Sequence, residues 1–267
     1  MKKKLLLFVL ALALILTPAL SYAGTLINAN NEIGISYNSL SRYYTETIGD
    51  NESGNISGIG LSITGLGNIL SVPLVYEHIG YSNNFGNFNY TDAVDGENVT
   101  DHSDILGVSS RVGKAFILNQ RTMLIPYLAY NCQEWNRNIG DGYARNNIKY
   151  FGYQEIYSYN ALGVGVIGEY AIANDLVLKG RLQYSRMLSN NLNTYNINFN
   201  LGNRPIYTIG VGIDYDLYGP LHITAGIKYL KTYFGKSNIN VLGIWSIYEP
   251  SSMTLDINYS VGLAYSF

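Results

Sequence analysis

Three histidines are the first candidates for chemistry, because imidazole changes charge near neutral pH and can act as a base. His222 sits where Leu221, Ile223, Ala225, Ile227 and Tyr229 alternate with His222, Thr224, Gly226 and Lys228. That parity puts it on a polar face, as a hydrogen-bonded polar residue. His78 is in phase with Leu74 and Tyr76, on the apolar side, with Ser82 nearby. His102 lies in Thr100-Asp101-His102-Ser103-Asp104, where a carboxylate could hold the ring as a base. The same run also suits a solvated loop. Cys132 is the one cysteine and can build neither a disulfide framework nor a zinc site. No phosphate loop, calcium loop, metal cluster or nucleic-acid motif is present in the sequence. The expectation is a non-enzymatic protein with no catalytic residue, no metal and no cofactor, and with no nucleic acid as partner.

The charged residues carry more information. By parity Glu32, Glu77, Glu169, Asp214, Asp216 and Asp256 share one face with Arg111, Lys179, Arg181 and Lys228. Glu169, Lys179, Arg181, Asp214 and Asp216 fall at similar depth on three consecutive segments. Unpaired charges are costly in a low-dielectric interior and paired ones are tolerated. Mixed signs at one level therefore predict one charge network, with Arg111 and Lys228 as further members, that acts as a salt-bridged plug. A selective pore more often shows a ring of one sign.

These side chains need elements that alternate, and period two runs through nearly the whole chain. Tyr207, Ile209, Val211, Ile213 and Tyr215 alternate with Thr208, Gly210, Gly212 and Asp214. Leu176, Leu178, Gly180, Leu182 and Tyr184 alternate with Val177, Lys179, Arg181 and Gln183. Such alternation gives strands with one apolar and one polar face. Ten segments follow, with cores near 32–43, 56–65, 69–80, 105–118, 123–135, 155–171, 176–186, 206–217, 221–232 and 254–267. Short connections are expected at Gly65-Leu66-Gly67-Asn68, Asn119-Gln120-Arg121-Thr122, Ala173-Asn174-Asp175 and Tyr218-Gly219-Pro220, all turn formers. Long ones are expected near 44–55, 81–104, 136–154, 187–205 and 233–253.

Composition agrees. Of 267 residues only 13% are charged, 47% are hydrophobic, and Gly and Tyr number 28 and 25. Disordered chains are charged and aromatic-poor, and a helical membrane protein needs apolar spans of about 20 residues. The fold class expected is all-β: a closed antiparallel transmembrane β-barrel of about ten strands, with short periplasmic turns and long extracellular loops. Lipid-facing tyrosines form two girdles, Tyr184, Tyr229 and Tyr259 at one interface and Tyr170, Tyr215, Tyr265 and Phe267 at the other. Tyr259 and Phe267 are separated by roughly 20 Å along a tilted strand, close to an apolar band.

The N-terminus reads as a signal for export. Lys2, Lys3 and Lys4 precede an unbroken apolar run, Leu5 to Leu16, and Ser21-Tyr22-Ala23 offers a cleavage pattern. The expected organisation is a cleaved secretory signal peptide at 1–23 and a single barrel domain at 24–267. Removing three lysines takes the net charge from −2 to −5, which also argues against nucleic acid.

The chain ends Tyr259-Ser260-Val261-Gly262-Leu263-Ala264-Tyr265-Ser266-Phe267. Tyr259, Val261, Leu263, Tyr265 and Phe267 resemble the C-terminal assembly signal of bacterial outer-membrane β-barrel proteins. The resemblance implies recognition by the barrel-assembly machinery, residence in the outer membrane, and contact with its lipid and lipopolysaccharide. In size and strand count the chain also resembles the omptins, ten-stranded surface proteases. Omptins use an acidic pair at the second outer loop and an Asp–His pair at the fourth. This chain has Asp92, Asp95, Asp101 and Asp104 near its second long loop, but neither His nor acid between Ser189 and Arg204, so the catalytic pattern is unmatched. The function expected is a surface barrel whose loops contact an extracellular ligand or another surface, with a largely closed lumen. The alternatives are a narrow channel for small solutes or ions, and a surface hydrolase using His102. Aromatics in the long connections, from Tyr43, Tyr44, Phe85, Phe88 and Tyr90 to Trp135, Tyr143, Tyr150, Phe151, Tyr195, Phe199, Tyr233, Phe234 and Trp245, either form contact surface or pack on one another.

Overall fold

Ten long strands pair in one antiparallel ring. They are β1 (Glu32–Glu46), β2 (Asn51–Ile69), β3 (Val72–Thr91), β4 (Asn98–Lys114), β5 (Thr122–Ile139), β6 (Tyr153–Ala173), β7 (Leu176–Thr194), β8 (Pro205–Tyr218), β9 (Leu221–Phe234) and β10 (Ser252–Ser266). The computed structural model describes residues 24–69, 71–92, 98–143, 149–242 and 245–267. The expected signal peptide and Asp95 lie outside the described residues. The ring closes where β1 meets β10, with Glu32 opposite Ser266 and Glu46 opposite Ser252. Closure pairs every barrel strand on both sides and removes the sheet edge. A short strand, Phe116–Asn119, continues β4 beyond Ala115, and another, Ile197–Asn200, folds back onto β7. One helical turn, Thr25–Asn28, sits at the end of the barrel where the connections are short.

The long connections are mostly strand. β3 continues to Thr91, β6 begins at Tyr153 and β7 runs to Thr194, so much of what reads as loop is barrel wall. One expected turn is also displaced. Gly65-Leu66-Gly67-Asn68 belongs to β2, and the reversal includes Ser71, whose φ is 67°. Leu66 is held in the wall by its own N–H, which donates to Asn31 Oδ1 at 2.8 Å.

The face assignment of β3 is reversed as well. Glu77 pairs across with Val112, an exposed residue of the outer surface, so it faces outward rather than into the lumen. His78 pairs with Arg111 and accepts or donates at Thr64 Oγ1, 3.0 Å away, so it faces inward together with Ser82. The physical reason is that the lumen near the short turns is itself apolar. Leu66, Tyr76, Met123, Ile125, Tyr127 and Ile167 pack there around Leu26 and Ala29. Where both faces are apolar, hydrophobicity no longer tells inside from outside.

Elsewhere the apolar parity faces out. Ile35, Leu61, Leu128, Val164, Leu182, Val211, Ile227 and Val261 are all exposed. Tyr184 and Tyr259, joined by Tyr37, Tyr130 and Tyr207, stand on the outer surface toward the long loops; Tyr170, Tyr215, Tyr265 and Phe267 stand toward the short turns. The wall between these two rings of aromatics is the segment that fits a bilayer, and the strands continue well beyond it at the loop end.

Candidate functional site in the barrel lumen

Inward-facing side chains divide the lumen into three levels. At the short-turn end, the Lys179 ammonium donates to Asp214 Oδ2 at 2.9 Å and to the Ala29 carbonyl at 2.5 Å, and Glu32 lies 3.8 Å away. His222 Nδ1 is 2.6 Å from Asp214 Oδ1. Asn30 donates to Glu169 at 2.7 Å. Thr25 donates to the Asn174 carbonyl at 2.7 Å. The helical turn is thus tied into the wall as a cork, with Asp216 bordering the small recess beneath it. Glu169, Lys179 and Asp214 belong to this level.

Arg181 does not. Across β7 and β8 it sits opposite Gly210, whereas Asp214 sits opposite Val177, and Lys179 lies between them. The single network expected from the sequence is therefore two separate groups. Arg181, Lys228 and Arg111 line a central chamber of about 430 Å³ whose other walls include Ser36, Ser62, Gly80, Ser109, Thr208 and Ser260. Among the described residues, none of these three cations has a carboxylate within ion-pair distance.

The third level closes the loop end, and sequence reading missed it. Arg137 is surrounded by carboxylates, with Glu52 at 2.7 Å, Glu155 at 2.6 Å and Asp101 at 3.6 Å. Its guanidinium also lies over Tyr44 and Trp135, 4.9 Å from each ring centre. Arg42 forms a two-pronged pair with Asp256 at 2.7 and 2.6 Å and stacks 4.3 Å from the Trp135 ring. Tyr44, Trp135, Tyr157, Leu192, Phe199 and Phe234 pack about these ions. Bidentate geometry and aromatic faces are what arginine satisfies best. The signal was available: Arg137 keeps parity with Trp135, and Arg42 with Tyr44, once the strands are extended.

The loop aromatics divide accordingly. Tyr44, Phe88, Tyr90, Trp135, Phe199 and Phe234 are buried against one another or against the ions, whereas Tyr43, Phe85, Tyr143, Phe151 and Tyr195 are exposed. Tyr153 stacks on Tyr195. The side chains of Tyr150 and Trp245 lie outside the description.

Above this level a chain of hydrogen bonds joins the first and last outer loops. Tyr44 donates to Glu46 at 2.5 Å, Tyr157 donates to Glu249 at 2.7 Å, and the two phenol oxygens are 3.0 Å apart. Burial, then repulsion from Glu249, pushes the Glu46 carboxyl up to about 8. Burial, then Glu155, pushes Glu249 up to about 7. Raised acid pKa values favour the protonated form in the fold. Their stabilisation is complete below the ordinary value of 4.5 and is lost as pH rises through 7 to 8. Amide exchange should therefore reveal an opening of this contact. After correction for intrinsic rates, protection at Thr47, whose N–H donates to the Ser251 carbonyl, and at Glu249, whose N–H donates to Ser237 Oγ, should fall as pH rises from about 4.5 to about 8 and level off above that. Glu46→Gln with Glu249→Gln should flatten that dependence. A wild type as flat as the double variant would show that these carboxyls do not control the contact.

His102 does not meet the acid beside it in sequence. His102 is exposed, and its Nδ1 lies 2.6 Å from Asn87 Oδ1, while Asp101 is buried on the opposite face beside Ser103. His and its neighbouring acid are adjacent in sequence and therefore point apart on a strand. Asp101 instead accepts from Ser103 Oγ and lies 3.6 Å from Arg137.

No protein-family model and no curated protein matches the sequence. Solved structures do show similarity in fold. The beta domain of the Bordetella autotransporter BrkA is 13% identical over 89% of this chain and 100% of that one, with a TM-score of 0.42. The transport unit of the autotransporter AIDA-I from Escherichia coli is 9% identical over 88% and 90%, with a TM-score of 0.48. Ail, the attachment invasion locus protein of Yersinia pestis, is 11% identical over 89% and 99%, with a TM-score of 0.36. At these identities the likeness concerns general architecture and carries nothing about activity.

Proposed function

We propose that the protein is a non-enzymatic, non-conducting barrel of the bacterial outer membrane that presents its loop end to the outside. The observation that carries this reading is the double closure of the lumen, by the helical turn with Lys179 and Asp214 at one end and by Arg42, Arg137 and Trp135 at the other. A closed ring with an apolar outer belt has lipid as its natural surroundings, because exposed aliphatic side chains in such number are costly in water. The short turns and both ends of the barrel domain face the periplasm in this reading. The exposed aromatics Tyr43, Phe85, Tyr143, Phe151 and Tyr195 then form contact surface toward an extracellular ligand, with lipopolysaccharide around the wall. Tyr259, Val261, Leu263 and Tyr265 line the outer face of β10 and Phe267 follows its last residue, all of them exposed, where the assembly machinery can read them.

Planar-bilayer recording of the purified barrel tests the reading. The expected trace shows no steady open level. Steady conductance in the wild type overturns it in favour of a narrow channel, the reading that the central chamber itself supports.

A further inference from the structure

We propose that the central chamber is a binding site for a small soluble oxyanion carrying at least two negative charges, of the pyrophosphate or dicarboxylate class. Two arginines and a lysine line it: Arg111, Arg181 and Lys228. Arg181 on β7 and Lys228 on β9 both sit opposite Gly210 of β8, so they share one level with only a glycine between them. Two inter-strand steps put their backbones about 10 Å apart. A side chain at position 210 would meet Arg181 Nε at 3.7 Å; glycine leaves that space to the chamber. Arg111 on β4 stands across a ten-strand ring from β9, beside the inward-facing His78. All three side chains line the same chamber.

Two acids, Glu32 and Glu169, line the chamber at its short-turn end together with Lys179, and Glu32 lies 3.8 Å from that ammonium with its Oε2 unpartnered; the other acids near the three cations are engaged elsewhere. Asp256 is held by both prongs of Arg42 and Asp214 by Lys179 and His222, and Glu169 itself accepts from Asn30. Arg181 Nε is buried without a hydrogen-bond partner. A folded protein that gathers like charges and leaves a buried donor unsatisfied incurs an electrostatic cost, and such groups call for a ligand, water or ion. An anion with two charged ends fits the layout better than a single ion, since the cations face each other from opposite walls of a chamber of about 430 Å³. The site faces the lumen and not the bilayer, so the ligand is a solute and not a lipid headgroup.

Equilibrium unfolding avoids any question of how the ligand passes the two plugs, because the chain can refold around it. A ligand that binds only the folded state raises the urea midpoint by mass action. The barrel is unfolded in dodecyl maltoside, which supplies no phosphate, with millimolar inorganic pyrophosphate against chloride at equal ionic strength. The expected result is a higher midpoint for the wild type in pyrophosphate. Arg181→Gln and Lys228→Gln should each weaken the apparent affinity at least tenfold. Both variants should be as stable as the wild type, or more so, in chloride, because each relieves repulsion. A purely structural role predicts the opposite: loss of stability in chloride and an unchanged response to pyrophosphate. General salting effects shift all three proteins equally. Equal shifts in all three, or no shift in the wild type, overturns the proposal. Heat-modifiable migration on gels confirms that each variant is folded before it is scored.

Discussion

Arg137→Leu should destabilise the barrel by about 3–5 kcal/mol, the usual cost of removing one partner from a buried ionic cluster. The guanidinium and the Glu52 and Asp101 side chains are at most 1% exposed, and Glu155 is 10% exposed. Taking away the one cation leaves three carboxyls facing each other away from water. Leucine supplies apolar contact for the rings of Tyr44, Trp135 and Tyr157 but no countercharge. The loss should shrink at lower pH as the carboxyls take up protons. Urea unfolding in lipid vesicles measures it. Replacing Arg137 together with its two nearest acids, as Arg137→Leu with Glu52→Leu and Glu155→Leu, should cost less than the sum of the single changes, because of the cluster only Asp101 remains and it keeps its hydrogen bond from Ser103. A single-variant loss below about 1 kcal/mol would mean that water reaches this level and that the loop-end plug is not closed.

Val211→Arg should cost about 2–4 kcal/mol, as cations do near the middle of the lipid-facing wall. Val211 is 57% exposed and flanked on its face by Ile209, Ile213 and Ile227, all of them exposed too. Gly210→Ala, one residue away, points into the chamber, where its new methyl meets nothing nearer than 3.7 Å. It should be close to neutral. The same vesicle titration compares them, and equal tolerance at both positions would refute the lipid-facing assignment of this parity.

The alternation of β7, β8 and β9 reads directly from the sequence. Ile209, Val211 and Ile213 against Thr208, Gly210, Gly212 and Asp214 can satisfy a pleated strand in only one way, with the apolar set on one face. Repeated around an even number of such strands, this pattern leaves closure as the means of pairing every backbone group. The closed barrel of ten strands was therefore legible, whereas parity alone put Glu77 of β3 on the wrong face.

What the tertiary structure alone decided is who meets whom across the lumen. Parity gives a direction, but the distance between two inward side chains depends on register, and register depends on where each turn falls. Placing the β2–β3 reversal at Ser71 rather than within Gly65–Asn68 accompanied the turning of His78 inward and Glu77 outward. Register likewise put Lys179, not Arg181, against Asp214. The Arg137 cluster draws its members from β2, β4, β5 and β6, and Glu52 lies 85 positions from the arginine it meets. No local pattern announces such a meeting, because the barrel supplies it by bringing remote strands to one level around a narrow axis.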